Sequence, residues 1–360
     1  MKKVIVLIGI LLSTGCYAQV VSPYNNGKNQ QYGVTYTLPK SVIEIKVEAT
    51  QIKYTPGEFC KYADRYLRLS GVSEANNESW ELNSIKAISI GVPDSAKTYF
   101  VKLKENTVAP IMELTEDGII KSINITPEKK NVAVAPIIPA AQKEAKNPKD
   151  YMTEEMLMAS SSAKMAELVA KEIYKIRESK NSFLRGEAEN MPGDNESLKL
   201  ILSKLDEQEQ ALTEMFSGKI EKETKRFTLR LVPSRNLDKE VLFRFSSKMG
   251  VVANNDLGGA PVYINLTDLK IVNVPVLDEK EAKKEKKKAE GIAYNVPGKA
   301  HVTIYTPKQK FFDDDLSIAQ LGNVEYLAES MFEKKSTIKV IFNPITGGLI
   351  KVDRENIVKK

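Results

Sequence analysis

The sequence has very little of the side chains that most often catalyse reactions or bind transition metals. Its 360 residues include one histidine, two cysteines and one tryptophan. A zinc site needs several histidine or cysteine ligands, and a Ser-His-Asp triad would have to use the only histidine, His301. No G-x-S-x-G motif accompanies it. We therefore predict no catalytic, cofactor-binding or metal-ligating residues, and no cofactor.

Clustered basic residues and long apolar runs are also scarce. The net charge is +6, but the charges are dispersed, so we expect no nucleic-acid partner. The run "VIVLIGILL" follows Lys2 and Lys3 and spans nine residues. A bilayer crossing takes about 20 apolar residues, whereas this length is typical of the central region of a signal peptide. We predict that residues 1–18 are a signal peptide and that the mature chain is exported.

Two processing signals overlap at residues 11–20 and predict different destinations. Cys16 stands where a bacterial lipobox has its lipidated cysteine, but Ser13 occupies the position that a lipobox fills with an aliphatic residue. In the rival signal, Cys16 and Ala18 are the small residues at −3 and −1, and Gln19 becomes the first mature residue. We predict release after Ala18 and a periplasmic protein. The alternative is lipidation at Cys16, an outer-membrane lipoprotein and membrane contact.

Either route leaves Cys60 without an intramolecular partner, so the core and not a disulfide must hold the exported fold. The pattern of the chain predicts an α+β protein with two antiparallel β-rich domains flanking a central helical hairpin. The segments are an N-terminal α+β domain at 32–128, a linker at 129–150, the hairpin at 151–218 and a C-terminal β-rich domain at 219–356.

Local patterns support these segments. Residues 42–54 alternate between apolar and charged side chains, which indicates a half-buried strand. Residues 55–69 have the apolar spacing of a helix, with Cys60 in its buried stripe. Two apolar stripes at helical spacing predict the helices of the hairpin, and Thr153 can cap the first helix; the stripes are Met156, Leu168, Ile173 and Ile176, and Leu198, Ile201, Leu205, Leu212 and Phe216. Turns at Asp117-Gly118 and Gly347-Gly348 predict β-hairpins. A predicted helix that contains "YL" precedes each hairpin in the sequence, and the second of these helices is in "NVEYLAESMF". One interpretation is a duplicated helix–hairpin unit. The other is that the likeness reflects turn patterns common to all β-hairpins.

Three long blocks, together with the Ala-Gln junction of the leader, carry a family resemblance. The blocks are "YTLPKSVIEIKVEATQIKYTPGEFCKYADRYL", "EIYKIRESKNSFLRGEAENMPGDNESLKLILSKLDEQEQALTEMFSGK" and "FNPITGGLIKV". They resemble a Bacteroidota family of exported envelope proteins catalogued as a domain of unknown function. The resemblance covers nearly the whole mature chain. It implies an envelope location and supplies no catalytic residues to transfer.

The remaining chemical motifs favour structural roles. Cys60 fits a buried helix position, and His301 fits the surface or edge of a strand in another predicted domain, so the two do not predict a catalytic pair. Ser161–Lys164 and Ser336–Lys339 match S-x-x-K, but the S-D-N and K-T-G partners of that chemistry are missing. Asp313–Asp315 offers oxygen ligands, but without EF-hand spacing a solvated loop or helix cap is favoured.

One motif predicts a modification. Asp94-Ser95-Ala96 resembles the sequon on which exported Bacteroidota proteins carry O-glycans, and Pro93 predicts an exposed turn there. Ser95 is therefore a candidate O-glycosylation site.

Together these features predict an exported, non-catalytic binding or scaffolding protein of a Gram-negative envelope. We expect its partners to be envelope proteins and residues 153–217 to be the partner-facing element, with an unpaired edge strand as a second route. The alternative is an envelope hydrolase that acts on glycan or peptide with carboxylates such as Asp313 and Asp314 as acid and base.

Overall fold

The computed structural model describes residues 33–102, 112–125, 147–273, 291–328 and 336–356. Within these residues the chain is mixed α and β, with three antiparallel sheets and four α-helices. The strands are β1 (Gly33–Thr55), β2 (Asn77–Lys102), β3 (Met112–Leu114), β4 (Ile120–Ile123), β5 (Lys219–Leu231), β6 (Leu237–Ser246), β7 (Gly250–Val252), β8 (Ala260–Asp268), β9 (Gly291–Tyr305), β10 (Lys310–Ala328), β11 (Ser336–Phe342) and β12 (Leu349–Asn356). The helices are α1 (Ala63–Leu67), α2 (Glu154–Leu157), α3 (Ser162–Arg185) and α4 (Asn195–Ser217), with short 3-10 turns at Cys60–Tyr62 and Pro148–Tyr151.

The first sheet has the order β2-β1-β5, and its central strand confirms the alternation in the sequence. Ile43, Ile45 and Val47 of β1 are fully buried because alternate side chains of a strand point to one face. The intervening charged residues lie on the other face, where Glu44 pairs with Arg230 of β5. β1 is thus the element around which this sheet is built.

The second sheet has the order β10-β9-β8-β6-β7, and its inner face packs against the first sheet. Val262, Val302 and Ile304 meet the buried face of β1 in one apolar core. The C-terminal half of β5 adds Phe227, Leu229 and Leu231 to the same core as partly buried side chains. This β-sandwich is the main apolar body of the described structure.

The third sheet has the order β12-β11-β4-β3 and covers a second core. Both predicted hairpin turns are confirmed: Gly118 connects β3 to β4, and Gly347 lies in the turn between β11 and β12. Each of these glycines has a positive φ, 80° and 74°, which a residue with a side chain rarely adopts. Long-range pairing then joins the two hairpins, because Val340 of β11 lies opposite Ile123 of β4.

The predicted separation into two β-rich domains is not confirmed. β5, assigned to the C-terminal domain, pairs with β1 along the whole of β5. β4, assigned to the N-terminal domain, pairs with β11. Two of the three sheets therefore take strands from both sides of the helical segment. Local sequence patterns indicate that a strand exists but not which distant strand will pair with it.

Two local predictions are corrected by the structure, and a third lies mostly outside the described residues. The helix predicted at 55–69 is shorter, because β1 continues to Thr55 and α1 spans only Ala63–Leu67. The helix predicted around "NVEYLAESMF" is wrong for Asn323–Ala328, which belong to β10. This removes the helical half of the proposed duplication. The predicted linker lies mostly outside the described residues, although Pro148–Tyr151 forms a 3-10 turn.

The predicted helical hairpin is present as α3 and α4. None of the helices in the described part of the chain combines the length and apolarity that a bilayer crossing requires. Thr153 caps α2, as its sequence predicts, by accepting the N–H of Met156. Ser161 and Asp194 cap the two long helices in the same way. Polar caps therefore define where each of these helices begins.

Candidate functional site

The processing residues Cys16, Ala18 and Gln19 lie outside the described residues. Ser95 is exposed in a bulge of β2, not in the predicted turn. Thr37 pairs with Thr98 but Pro39 pairs with Pro93, so residues 94–97 protrude from the ladder. A bulge bends its strand and leaves the extra residues unpaired. The modification of Ser95 stays a prediction.

Cys60 is half-buried, so the prediction of a buried position is wrong. The helix starts later than its sequence suggests, and Cys60 begins the short 3-10 turn that precedes α1. The neighbouring Phe59 takes the buried place instead, with its ring 5.4 Å from that of Phe216.

His301 is on the surface, as predicted, but two of the predicted acidic residues surround it. Its Nδ1 lies 2.9 Å from Asp315 Oδ1, and its Nε2 lies 2.9 Å from Asp313 Oδ1. Lys310 Nζ and Thr303 Oγ1 also donate hydrogen bonds to Asp313. Asp313–Asp315 belongs to β10 and not to a loop or cap, and its pairing with β9 places Asp315 directly opposite His301.

These contacts change the titration of the group. The hydrogen bond with Asp315 raises the pKa of His301 above its ordinary value. The hydrogen bond from Lys310 lowers the pKa of Asp313. Asp314 lies in sequence between the two aspartates that contact His301, and its carboxylate accepts a hydrogen bond from the backbone N–H of Asp315. When it is protonated, His301 links β9 to β10 on the exposed face of the sheet.

Neither the acidic triplet nor the S-x-x-K motifs build a recognised reaction centre. Among the described residues, no group of three or more histidine, cysteine, aspartate or glutamate side chains is arranged to hold a metal ion. Ser161 Oγ accepts the N–H of Lys164, whose ammonium contacts Glu167. Ser161 is thus a helix cap, while Ser336 and Lys339 lie in β11.

The base of the helical hairpin is docked firmly on the rest of the protein. Ile173, Leu212 and Phe216 are fully buried in a core shared with α1 and α2. Phe59 N–H donates to the carbonyl of Met215 at 2.7 Å. Gly57 approaches the same turn so closely that an added Cβ would lie 2.2 Å from the Met215 oxygen. The C-terminal end of α4 is therefore held by both packing and backbone bonds.

Ion pairs connect α3 to α4 on the side of the buried core that faces the turn of the hairpin. Glu209 of α4 accepts hydrogen bonds from Arg177 Nε at 2.6 Å and Lys180 Nζ at 2.8 Å, both on α3. Lys180 also contacts Asp206. Partial burial raises the pKa of Glu209, but the two cationic donors outweigh it and hold the pKa below its ordinary value. This polar clamp replaces apolar packing at the level where the buried core ends.

Beyond the clamp the hairpin lacks a closed core. No residue from Arg177 to Gln210 is fully buried, although all of them are described. We call residues 183–202 the hairpin tip. Leu184 and Leu200 in the tip are 70% and 61% exposed, and Met191 is 43% exposed. A helix rises about 1.5 Å per residue, so the end of α3 at Arg185 projects about 14 Å beyond the last buried residue, Ile176.

The tip is nevertheless an ordered turn. Gly186 ends α3 with a positive φ of 72° and donates to the carbonyl of Phe183. Asp194 begins α4, and its two carboxylate oxygens each lie 2.7 Å from Ser197 N or Oγ. The tip carries four acidic and two basic side chains. It presents exposed apolar side chains on a pre-formed, net acidic surface.

Sequence reasoning found the hairpin but missed its exposed tip and the grouping around His301. The register of β9 against β10 brings His301 to Asp315, and two-residue alternation within β10 brings Asp313 to the same face. That alternation was a usable signal, because it puts Asp313 and Asp315 on one side of any strand. Leu184 continues the apolar pattern of α3, so its exposure had no local signal. Leu200 lies outside the stripe of α4, so helical spacing could have predicted its exposure.

Comparison with known proteins gives one match. The model of a domain of unknown function (DUF4831) matches residues 32–350. No curated protein and no solved structure matches the chain significantly.

Proposed function

The chain belongs to the DUF4831 family, and we propose that it is an exported, non-catalytic binding or scaffolding protein whose hairpin tip docks on a partner protein. Its place would be the periplasm of a Gram-negative, Bacteroidota-like envelope after release at Ala18–Gln19. An outer-membrane lipoprotein anchored through Cys16 is the alternative form. The partner would be another envelope protein.

The observation that supports this proposal is that apolar side chains change from buried at the base of the hairpin to exposed at its tip. Folding stability explains the apolar residues at its base, which are buried up to Ile176 on α3 and from Ala211 on α4. It does not explain Leu184 and Leu200, because these side chains remain in water. Contiguous apolar patches rimmed by polar residues are typical of interaction sites, and three exposed apolar side chains, Leu184, Met191 and Leu200, lie within the 20 residues of the tip. The proposal therefore narrows the partner-facing element from residues 153–217 to the hairpin tip.

The charge of the tip defines the chemistry of the partner. Glu187, Glu189, Asp194 and Glu196 outnumber Arg185 and Lys199. Such a surface is repelled by anionic headgroups and is attracted to a cationic rim. A protein with an apolar cleft bordered by lysine or arginine fits these features best. The ordered caps reduce the entropy that the tip would lose on binding.

A capture experiment with paired variants tests this proposal. The tip variant is Leu184→Glu with Leu200→Glu, and the control is Leu257→Glu, whose side chain is 83% exposed in the loop between β7 and β8. Each tagged mature protein is recovered from native envelope fractions after mild cross-linking. We expect a specific protein to be retained by the wild type and the control and lost with the tip variant. Equal retention by all three would refute the tip as the docking surface.

Mass analysis of the same recovered protein tests export and anchoring. Release predicts a mature chain that begins at Gln19, whose amide cyclises readily to pyroglutamate. Lipidation predicts a diacylglycerol adduct on Cys16. An intact Met1 in the envelope fraction would contradict both processing routes.

The hydrolase alternative draws its support from the Asp313–His301–Asp315 group. Glycosidases place two carboxyl groups about 5–9.5 Å apart across a bound sugar. Here Asp313 and Asp315 bind the same imidazole ring and lie two residues apart on one strand of an exposed sheet face. Both carboxylates are occupied by His301, and no substrate can lie between them in this arrangement. This geometry favours the binding protein over the hydrolase.

A further inference from the structure

β5 is an edge strand with two different halves. In the described residues its only strand partner is β1, so its opposite edge carries no strand. Residues 227–231 alternate between half-buried and exposed because one face meets the sandwich core. Residues 220–224 are exposed on both faces. The N-terminal half is therefore open both on its edge and on its surfaces.

An open groove borders this half of β5. It has a cavity volume of about 1630 Å³ and lies between α4 and the paired ends of β1 and β5. Small-molecule sites occupy about 300–1,000 Å³, so this groove suits a longer occupant. Gln51, Lys53 and Thr55 of β1 lie opposite Glu223, Glu221 and Lys219 and line it from one side, while α4 lines the other.

Charges alternate in sign along the open half of β5. Lys219 Nζ lies 2.6 Å from Glu221, and Lys225 Nζ lies 3.5 Å from Glu223. These pairs are exposed, and exposed ion pairs contribute only about 0–1 kcal/mol each. An incoming chain with complementary charges can therefore replace them at little cost. Like charges directly opposite would instead disfavour an unmatched strand.

Gln51 of β1 leaves one buried polar atom beside the groove. The side chain lines the groove but is only 6% exposed. Its Nε2 donates to Glu78, whereas its Oε1 has no donor among the described residues. A buried carbonyl oxygen without a donor costs about 1–3 kcal/mol.

We propose that the free edge of β5, beside this groove, binds an extended peptide segment of a partner protein, which adds a strand between Lys219 and Lys225. Backbone hydrogen bonds to the free edge hold the segment, and its side chains alternate in charge so that acidic residues face Lys219 and Lys225. This β-augmentation site is separate from the hairpin tip and does not depend on the function proposed for it.

A designed peptide tests the site directly. The probe is the synthetic peptide Glu-Val-Lys-Glu-Lys-Val-Glu. When it pairs antiparallel to β5, its terminal glutamates lie opposite Lys225 and Lys219, and its two lysines lie opposite Glu223 and Glu221. Binding of a fluorescent derivative to the mature wild-type protein is followed by anisotropy. We expect saturable binding that weakens at least about tenfold when alternate backbone nitrogens of the peptide are methylated. Methylation keeps the charges but removes the donors that pair strands.

Protein variants separate strand pairing from simple charge attraction. Glu221→Lys with Glu223→Lys should weaken binding of the probe and favour a peptide in which the two lysines of the probe are replaced by glutamate. The tip variant Leu184→Glu with Leu200→Glu should bind the probe as the wild type does, so failure of one proposal does not imply failure of the other. Unchanged affinity after methylation, or no binding up to about 1 mM, would overturn the inference. Dimerisation of the wild-type chain that the Glu221→Lys, Glu223→Lys variant abolishes would also overturn it, because a second copy would then occupy the edge.

Discussion

Truncating one buried and one exposed leucine on α4 should separate the stabilising base of the hairpin from its tip. Leu212 is fully buried against the core that contains Phe59 and Phe216, whereas Leu200 is 61% exposed. Leu212→Ala loses the transfer free energy of the side chain and leaves a cavity, which together cost about 3 kcal/mol. Leu200→Ala removes few contacts and should change the free energy of unfolding by less than about 0.5 kcal/mol.

Urea unfolding of the mature chain, followed by far-ultraviolet circular dichroism, measures both values. The shift in midpoint multiplied by the slope gives the change in the free energy of unfolding. Partner capture should respond in the opposite order, with Leu200→Ala the more damaging of the two among folded proteins. Equal destabilisation by both variants would refute the reasoning, because it would mean that the tip is packed within the chain.

Three further predictions concern other contacts. His301→Gln should remove a pH dependence. The raised pKa of His301 gives a stabilisation that is complete below its unfolded pKa of about 6.5 and is lost as the pH rises through the higher folded value, so only the wild type should lose stability as the pH rises above about 6.5. Unfolding curves across that range check it, and parallel slopes for both proteins would contradict it. Gly57→Ala places a Cβ against the Met215 carbonyl and should destabilise the chain by about 1–3 kcal/mol, measured by urea unfolding; an unchanged midpoint would mean that the contact is loose. Asp194→Ala removes the cap of α4 and should cost about 1 kcal/mol, with Asp194→Asn as a control that retains most of it.

The sequence was informative wherever structure follows from neighbouring residues. The alternation at residues 42–54 predicted β1, and the glycines at 118 and 347 predicted two hairpin turns. Thr153 marked the start of a helix. Each of these signals rests on steric limits or hydrogen bonds within a few residues, so no knowledge of the remaining chain was needed.

The errors arose where distant segments decide the structure. β1 and β5 pair across more than 150 residues of sequence, so the predicted domain boundary between them could not be placed from local patterns. Asn323–Ala328 has helix-compatible residues, but pairing with β9 makes it a strand, since tertiary contacts override weak helix propensity. Another part of the β9–β10 ladder brings His301 to Asp315, and this contact becomes visible only when the two strands are aligned.

The candidate binding surfaces could likewise be predicted only as far as they depend on neighbouring residues. The helical hairpin could be predicted from two apolar stripes, but the stripes do not reveal where burial stops. Leu184 lies on the same side of α3 as Ile173, and only its distance from the core distinguishes the two. Leu200 lies about 120° around α4 from Leu212 and outside the apolar stripe, so its spacing did indicate an exposed position. The open half of β5 likewise depends on which strand the sheet lacks at its edge.

Site-specific photocross-linking tests the central claim most directly. A benzoylphenylalanine residue is placed at Leu200 in the tip or at Leu257, the exposed control, in the protein expressed in its native cells. We predict one discrete covalent adduct with another envelope protein from position 200, abolished by Leu184→Glu and absent from position 257. No adduct at position 200, or the same adduct from both positions, would contradict a partner docked on the hairpin tip.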